Sequence, residues 1–208
     1  MKFSLGIIIL NYRTPKLVID CLDSLVDQVE PDMDIVVVDN ASNDGSADII
    51  DNYISSKNWA TWVRVLRSPI NGGFAAGNNL ALKDIEADAY ILLNSDTIIL
   101  PGAIKELQNA MEARPDAGLI GSAMVNSKGV HDASAFHFIH PITELIRSAQ
   151  TGVISRLLPK FNPYFSVSAP IPEPDWLGFA CILIRREVID QVGSVSYTHL
   201  TLPTIYSV

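Results

Sequence analysis

The sequence predicts an α/β fold with a mostly parallel sheet and helices on both of its faces. Two apolar runs, Ile35–Val38 and Tyr90–Leu93, are each followed at once by polar residues, which is typical of strands buried on both faces of a parallel sheet. Stretches with apolar residues at helical spacing lie between such strands. The chain has 208 residues, 48% of them hydrophobic and 18% charged, a composition that fits one domain with a sizeable core.

The first part of the chain predicts three strands separated by two helices. Thr14 is a good helix cap, and Pro15 suits the first helical position because its missing N–H would be unpaired there anyway. The predicted elements are a strand at 3–10, a helix from Pro15 to about Val29, a strand at 35–38, a helix at about 46–57 and a strand at about 62–66.

The same alternation continues after a glycine-rich turn at Asn71–Asn79, which leads into a helix through Lys83. Pro170, Pro172 and Pro174 favour an extended connector, because proline disfavours helix in the residue before it. The remaining predicted elements are a strand at 90–93, a helix from Pro101 to Arg114, a strand at about 118–124 and a strand at Asp175–Trp176.

Two acids, Asp39 and Asp96, follow predicted buried strands. Ligands of open α/β sheets bind at the carboxyl ends of the strands, so we expect both carboxylates to line one cleft there. Asp96 would then be available to a hard cation that bridges phosphate oxygens. The alternative is that Asn94-Ser95-Asp96 is only a strand-ending turn, since all three residue types are common in turns.

The charge of the chain excludes some classes of partner. A formal net charge of −8 argues against nucleic acid as a partner, because binding its phosphates requires clustered Lys and Arg. A metal ion could still allow a small anion to bind.

No apolar run approaches the roughly 18 residues of a membrane span. Cys21 lies in helical register with Val18 and Leu22, which predicts a buried thiol in a reducing compartment.

The glycines do not form a dinucleotide or P-loop motif. A Rossmann site needs Gly-x-Gly-x-x-Gly in the first strand-to-helix turn, but the turn Leu10–Pro15 contains no glycine, and Gly-x-x-x-x-Gly-Lys-Ser/Thr is absent from the sequence. Two interpretations stay open for Gly72, Gly73 and Gly77. These glycines let the backbone approach an anion at a helix N-terminus, or they allow tight packing of a helix on a strand.

Five stretches in order resemble the family 2 glycosyltransferases, inverting enzymes with the GT-A fold, and in particular their rhamnosyltransferase-like branch. The resemblance extends over about residues 5 to 193. The stretches are Ile8-Ile9-Leu10-Asn11-Tyr12, Val36-Val37-Val38-Asp39-Asn40-Ala41-Ser42-Asn43-Asp44-Gly45-Ser46, Asn71-Gly72-Gly73-Phe74-Ala75-Ala76-Gly77-Asn78-Asn79, Leu92-Leu93-Asn94-Ser95-Asp96-Thr97 and Asp175-Trp176-Leu177-Gly178-Phe179-Ala180-Cys181-Ile182-Leu183-Ile184-Arg185-Arg186.

The resemblance implies transfer of a sugar from a UDP-, dTDP- or GDP-linked donor to a glycan or lipid-linked acceptor, in synthesis of cell-surface polysaccharide. Asp39 would contact the nucleobase. Asp96 would hold Mg²⁺ or Mn²⁺ on the diphosphate, with Asn94 where the family's Asp-x-Asp motif has its first acid. The implied donor-site residues are Asn11, Asp39, Asn40, Asp44, Asn71, Gly72, Gly73, Asn78, Asn94 and Asp96, and the implied acceptor-side residues are Asp175, Trp176 and Gly178.

The family's catalytic base usually lies in a Glu-Asp pair beyond the Arg185-Arg186 segment, and no such pair follows here. Asp175 is the nearest candidate. Residues 194–208 contain no Asp, Glu, Lys or Arg, so we interpret 1–193 as an incomplete GT-A domain and 194–208 as a foreign tail, against a genuine divergent ending. We therefore expect a chain that binds its donor but transfers sugar very slowly, with a sugar-nucleotide-binding module without turnover as the rival.

The middle of the chain, residues 126–174, matches the family least. Apolar residues at helical spacing there form either a core helix or an amphipathic helix touching a membrane, where lipid-linked acceptors reside. They are Ile142, Leu145, Ile146, Ala149 and Val153. We expect a cytoplasmic protein, with peripheral contact at the inner face of the membrane as the second possibility.

Overall fold

A computed structural model describes residues 3–136 and 173–196. Its described residues belong to two compact units. Those within Met1–Ile120 and Phe179–Val208 form the first unit, and those within Gly121–Gly178 form the second. The predicted stripe at Ile142–Val153 lies outside the described residues.

The first unit is built on a six-stranded sheet. Its strands are β1 (Leu5–Asn11), β2 (Met33–Asp39), β3 (Val63–Arg67), β4 (Ala89–Asn94), β5 (Leu119–Gly121) and β10 (Cys181–Arg185), in the spatial order β3-β2-β1-β4-β10-β5. β1 pairs in parallel with both β2 and β4, and β2 pairs in parallel with β3. The predicted α/β fold with a mostly parallel sheet is therefore confirmed.

The helices agree with the predicted alternation. They are α1 (Pro15–Leu25), followed by a 3₁₀ turn at Val26–Gln28, then α2 (Ser46–Ser56), α3 (Gly73–Asp84), α4 (Ala103–Ala113) and α5 (Arg186–Val192). α1 has Pro15 in its first turn, as expected. Gly45 and Gly102 precede α2 and α4 with φ of 85° and 81°, a backbone conformation that glycine adopts without steric cost.

The core lies on both faces of the central strands. Ile7 and Ile9 of β1 are fully buried in one apolar cluster with Val18, Cys21 and Leu22 of α1. Leu10 points to the opposite face because side chains alternate along a strand, and there it packs against Gly77 of α3. A Cβ on Gly77 would stand 2.3 Å from Leu10 Cδ1, so this glycine serves tight packing of helix on strand.

Three features differ from the expected elements. The strand expected at about 118–124 is split into β5 and a separate strand, Met124–Val125, which belongs to another sheet. β10 runs antiparallel to β4, and the helix expected to reach Val29 ends at Leu25 before the 3₁₀ turn. Both cysteines are free and buried, which confirms the predicted burial of Cys21. Within residues 3–136 and 173–196, no helix is both long and apolar enough to cross a membrane.

The second unit contains two short antiparallel pairs among its described residues. β6 (Met124–Val125) pairs with β7 (His131–Asp132), and β8 (Ala135–Phe136) pairs with β9 (Trp176–Leu177). The rings of Phe136 and Trp176 stack with centroids 4.0 Å apart. The strand expected at Asp175–Trp176 corresponds to β9.

Candidate donor-binding site

The carboxyl ends of β1, β2 and β4 lie at the same edge of the sheet. Asn11 is opposite Asp39 in the β1–β2 register, and Leu10 is opposite Asn94 in the β1–β4 register. Neighbouring strands are about 4.8 Å apart, so Asp39 and Asn94 flank the end of β1 with roughly 10 Å between their backbones. Asp96 follows Asn94 by two residues and is exposed at this edge.

Asp39 is held in a buried hydrogen-bond network although its side chain is charged. Only 6% of the residue is exposed. Its Oδ1 accepts from Asn11 Nδ2 at 2.7 Å and from Ser42 Oγ at 2.5 Å, and its Oδ2 accepts from the Ser42 backbone N–H at 3.2 Å. A buried carboxylate needs such donors because they replace its lost hydration.

Ser42 and Arg13 are site residues that the sequence reasoning did not single out. Ser42 Oγ accepts from the Arg13 backbone N–H at 3.0 Å, and Arg13 Nε donates to the Ser42 carbonyl at 3.1 Å. Ser42 could have been found from its position three residues after Asp39, a common spacing for side-chain bonds in turns. No comparable signal exists for Arg13, because its role depends on the meeting of two loops.

The loop after β2 is also tied to the glycine-rich turn. Asn40 Nδ2 donates to Asn71 Oδ1 at 2.8 Å and to the Gly73 carbonyl at 3.2 Å, and Gly73 N–H donates to Asn71 Oδ1 at 2.9 Å. These bonds fix both amide orientations. Asn40 Oδ1 is buried and has no hydrogen-bond partner among the described residues. Asn40, Asn71 and Gly73, all predicted at the donor site, are therefore brought together.

The β4 end is anchored by the segment before β10. Asn94 N–H donates to the Ala180 carbonyl at 2.9 Å, and Thr97 N–H donates to the Asn94 carbonyl at 3.2 Å. These bonds hold the turn rigidly while the Asp96 side chain stays exposed. Within the described parts of the chain, no group of three or more His, Cys, Asp or Glu residues is arranged to hold a metal ion.

The exposed carboxylate of Asp96 and the amide oxygen of Asn94, two residues before it, are a sparse but suitable set of hard donors. Mg²⁺ and Mn²⁺ favour oxygen ligands, and Mg²⁺ in particular is often bound by one or two carboxylates together with substrate phosphates. Asp96 and Asn94 therefore fit a divalent ion whose remaining ligands come from a diphosphate and water.

Two predicted donor-site residues make local contacts. Asp44 is exposed, and its Oδ1 accepts from Ser46 N–H at 3.0 Å and also from Ser46 Oγ; these bonds lower the pKa of Asp44 below its usual value. Asn78 is buried, and its Nδ2 donates to the Phe74 carbonyl of its own helix at 2.9 Å. These contacts start α2 and support α3, respectively.

The predicted acceptor-side residues all lie in the second unit. Asp175 N–H donates to the Phe136 carbonyl at 3.0 Å, and Gly178 N–H donates to the Ser134 carbonyl at 2.8 Å. With Trp176 stacked on Phe136, the three residues are brought together along β8 and β9.

Three of the four non-glycine residues with positive φ among the described residues lie in the loops after β1 and β2; the fourth, Asn58, follows α2. Arg13, Ala41 and Asn43 have φ of 60°, 55° and 54°. The left-handed region costs a non-glycine residue about 1–2 kcal/mol, and residues held there cluster at binding sites. The strain marks the surroundings of Asp39 as the best candidate for a ligand site.

Comparisons with known proteins identify the family of this chain. The family model described as glycosyl transferase family 2 matches residues 6–193. The poly(ribitol-phosphate) beta-glucosyltransferase of Bacillus spizizenii is 33% identical over 151 residues, 71% of this chain and 23% of that protein. The N-acetylglucosaminyl-diphospho-decaprenol L-rhamnosyltransferase of Mycobacterium tuberculosis is 27% identical over 190 residues, 83% of this chain and 58% of that protein.

A solved structure shows the fold. The mannosyltransferase PcManGT from Pyrobaculum calidifontis, in complex with GDP-Man and Mn²⁺, has a TM-score of 0.64 at 15% identity, over 94% of this chain and 48% of that one. This likeness confirms the predicted GT-A fold. The chain spans less than two thirds of the length of each of these proteins. With the family model matching nearly all of it, the chain belongs to glycosyl transferase family 2.

Proposed function

We propose that this chain carries the donor site of an inverting glycosyltransferase, which moves a sugar from a nucleoside diphosphate sugar to a hydroxyl of a glycan or lipid-linked acceptor. The observation that carries the proposal is the placement of Asp39 at the end of β2 and of Asp96 two residues after β4, the two strands that flank β1, at one edge of the sheet. The two relatives named above, one a poly(ribitol-phosphate) glucosyltransferase, support a role in cell-surface polysaccharide synthesis. Such a role assigns the protein to the cytoplasm or the inner face of the membrane.

The two acids have separate tasks under this proposal. The buried carboxylate of Asp39 accepts a hydrogen bond from the nucleobase of the donor. Asn11 and Ser42 hold this carboxylate in a fixed orientation. Asp96, with Asn94, would hold a divalent ion, which would supply positive charge against the diphosphate leaving group. The roughly 10 Å between the backbones of Asp39 and Asn94 leaves room for a ribose between nucleobase and diphosphate.

Inversion requires a base that takes the proton of the acceptor hydroxyl on the face opposite the leaving group. We assign this task to Asp175, the nearest candidate within the matched region. Its exchange for Asn should lower turnover while leaving nucleotide affinity unchanged. An equal loss of turnover and nucleotide affinity would remove Asp175 from consideration as the base.

Calorimetry with nucleoside diphosphates in the presence and absence of Mn²⁺ tests the donor site. Asp96→Ala should abolish Mn²⁺-dependent binding, whereas Asn94→Ala should only weaken it, because only Asp96 brings a formal charge to the cation. Asp116→Ala is the matched control, since Asp116 is an exposed acid whose partner is Arg114. Equal losses from Asp96→Ala and Asn94→Ala would contradict the division of roles.

Turnover of sugar nucleotides on a mixed panel of acceptors tests the transfer reaction. Release of nucleoside diphosphate that depends on acceptor supports the transferase. Tight donor binding without any transfer would assign the 208-residue chain to the rival class, a binding module.

A further inference from the structure

A cavity of about 200 Å³ lies between the 3₁₀ turn and α4. Its lining includes three buried residues, Met33, Ile104 and Gln108, and three charged ones, Asp27, Glu30 and Lys105. Met33 is the first residue of β2 and Asp39 is the last. A strand rises about 3.3 Å per residue, so Met33 lies roughly 20 Å from Asp39. The cavity is therefore separate from the donor site.

Gln108 brings to this cavity a buried amide whose two polar atoms lack partners. The residue is 2% exposed, and neither its Nε2 nor its Oε1 forms a hydrogen bond within the described part of the chain. Either orientation of the amide presents one N–H donor group and one acceptor oxygen. Because a buried polar group is costly to leave unpaired, the amide requires a bound molecule that both donates and accepts.

The neighbouring amide of Gln28 shows the contrast, because both of its polar atoms are paired. Its Oε1 accepts from the Ile104 N–H at 3.3 Å, and its Nε2 donates to the Ser24 carbonyl at 3.3 Å. The first of these bonds uses an N–H of the first turn of α4, which would otherwise have no partner within the helix. The polar group that this wall offers to a ligand is therefore the Gln108 amide.

The charges and the amide together restrict the class of ligand. Asp27 and Glu30 against Lys105 leave an excess of one negative charge in the lining, which disfavours anions. A metal ion would pair only with Oε1 of Gln108 and leave Nε2 without a partner. A trans peptide group points its N–H and its C=O in opposite directions, so it does not reach both atoms of one amide.

Two hydroxyls on adjacent carbons satisfy the Gln108 amide completely. One hydroxyl donates to Oε1 while its neighbour accepts from Nε2, and further hydroxyls can donate to the carboxylates of Asp27 and Glu30. The volume of about 200 Å³ exceeds the ~30 Å³ of one water molecule. It is smaller than the roughly 300–1,000 Å³ of pockets for drug-sized ligands. This size suits one sugar ring or one short polyol.

We propose that the cavity is a carbohydrate site distinct from the donor site, which binds one neutral sugar or polyol unit through a pair of adjacent hydroxyls on Gln108. The site needs neither a nucleotide nor a metal ion, so it goes beyond the proposed function. In a glycosyltransferase it would hold a glycan at roughly 20 Å from the donor edge.

NMR titration of isotope-labelled protein tests the site, because the side-chain amide of Gln108 gives signals of its own that disappear in Gln108→Met. Methyl glucoside and ribitol should shift these signals with dissociation constants in the millimolar range, as expected for a small ligand with few contacts. Glucuronate has a similar ring with a carboxylate added, and it should bind at least about fivefold more weakly because of the acids in the lining.

Gln108→Met distinguishes a ligand site from a gap that holds only water. The substitution keeps the length of the side chain and removes an unpaired buried amide, so the variant should fold and resist urea at least as well as the parent. Its affinity for methyl glucoside should fall by about tenfold or more. Asn109→Ala is the matched control, because the Asn109 amide is exposed on α4 and donates to Glu106 Oε1 at 3.5 Å; its affinity should change less than about twofold.

The outcomes keep this proposal separate from the donor site. Signals of Gln108 that no neutral ligand moves would overturn it and assign the cavity to water. An affinity that Gln108→Met leaves intact, or a sugar that UDP with Mn²⁺ displaces, would assign the sugar to another site and overturn it as well. Because the titration uses neither nucleotide nor metal ion, its failure leaves the donor-site proposal standing, and failure of nucleotide binding leaves this one standing.

Discussion

Replacement of Arg185 by Met should destabilise the protein strongly, although Arg185 is neither at the carboxyl edge nor in the apolar core. Arg185 is the last residue of β10, and its guanidinium reaches the C-terminal turn of α4. Its Nε donates to the Ala117 carbonyl at 2.8 Å. Its Nη2 donates to the Arg114 carbonyl at 3.1 Å and also to the Met111 carbonyl.

The expected loss of stability follows because these carbonyls would lose their hydrogen bonds from the Arg185 guanidinium. The Met111 carbonyl lies in the last turn of α4, where carbonyls have no partner within the helix and carry partial negative charge. The Arg114 carbonyl keeps the Ala117 N–H at 3.0 Å, and the Ala117 carbonyl lies beyond the helix. A hydrogen bond from a charged donor contributes about 1.5–3 kcal/mol, and water can replace part of it because the site is only partly buried. For three bonds we expect a loss of about 2–4 kcal/mol, a large fraction of the ~5–15 kcal/mol of a typical domain.

Arg186→Met provides the matched control at the next residue. The Arg186 side chain is 43% exposed and makes ion pairs of 3.7 Å with Glu86 and 3.8 Å with Asp190, whose side chains are 91% and 66% exposed. Exposed pairs contribute about 0–1 kcal/mol. Urea unfolding followed by tryptophan fluorescence gives both free energies of unfolding. If the two variants differ by less than about 0.5 kcal/mol, the guanidinium does not stabilise the end of α4 and the reasoning is refuted.

Three further predictions concern single residues. Burial, followed by the nearby charges of Cys181 and Asp96, raises the pKa of Cys21 to about 12, so its thiol should react with Ellman's reagent at pH 8 only after unfolding. Hydrogen bonds from Ser4 lower the pKa of Asp88. Their contribution to stability should therefore be present above the unfolded-state pKa of about 4 and be lost at lower pH. Asp88→Asn should flatten the dependence of the melting temperature on pH. Ala41→Gly should be neutral or stabilise by up to about 1 kcal/mol, whereas Gly45→Ala, at φ 85° with open space around it, should destabilise by about 1 kcal/mol.

The strands and their ends were predictable because burial on both faces leaves a strong pattern in sequence. Ile35–Val38 and Tyr90–Leu93 lie within β2 and β4, and the acids after them lie at one edge because parallel strands share a direction. The orientation of β10 was not predictable, since an apolar run such as Cys181–Ile184 is the same for either direction of pairing.

The assignment of individual polar residues was less accessible to sequence reasoning. Asn78 and Asn11 are both buried asparagines, yet only Asn11 bonds to Asp39, while Asn78 serves its own helix. The difference depends on which side chain another loop brings near, and no local pattern records that. Ser42 was accessible from its spacing of three residues after Asp39, and it supplies two of the three hydrogen bonds to the Asp39 carboxylate.

Two acids, Asp39 and Asp96, lie at the carboxyl edge, where the cation Arg13 is held beside Ser42 at the Asp39 end, and this sets one more expectation. The described contacts of Asp39 include no Lys or Arg side chain, and Asp96 is an exposed acid at the same edge. A diphosphate would be repelled there unless a cation accompanies it, whereas a nucleoside carries no such charge. Chelation of Mn²⁺ should therefore weaken UDP binding by at least tenfold while uridine binding, which uses the same contacts to Asp39, changes less than twofold. Asp39→Ala should weaken the binding of both UDP and uridine. Equal losses of UDP and uridine on chelation would mean that the metal ion shapes the base site itself, and the division of this edge into a base subsite and a phosphate subsite would have to be abandoned.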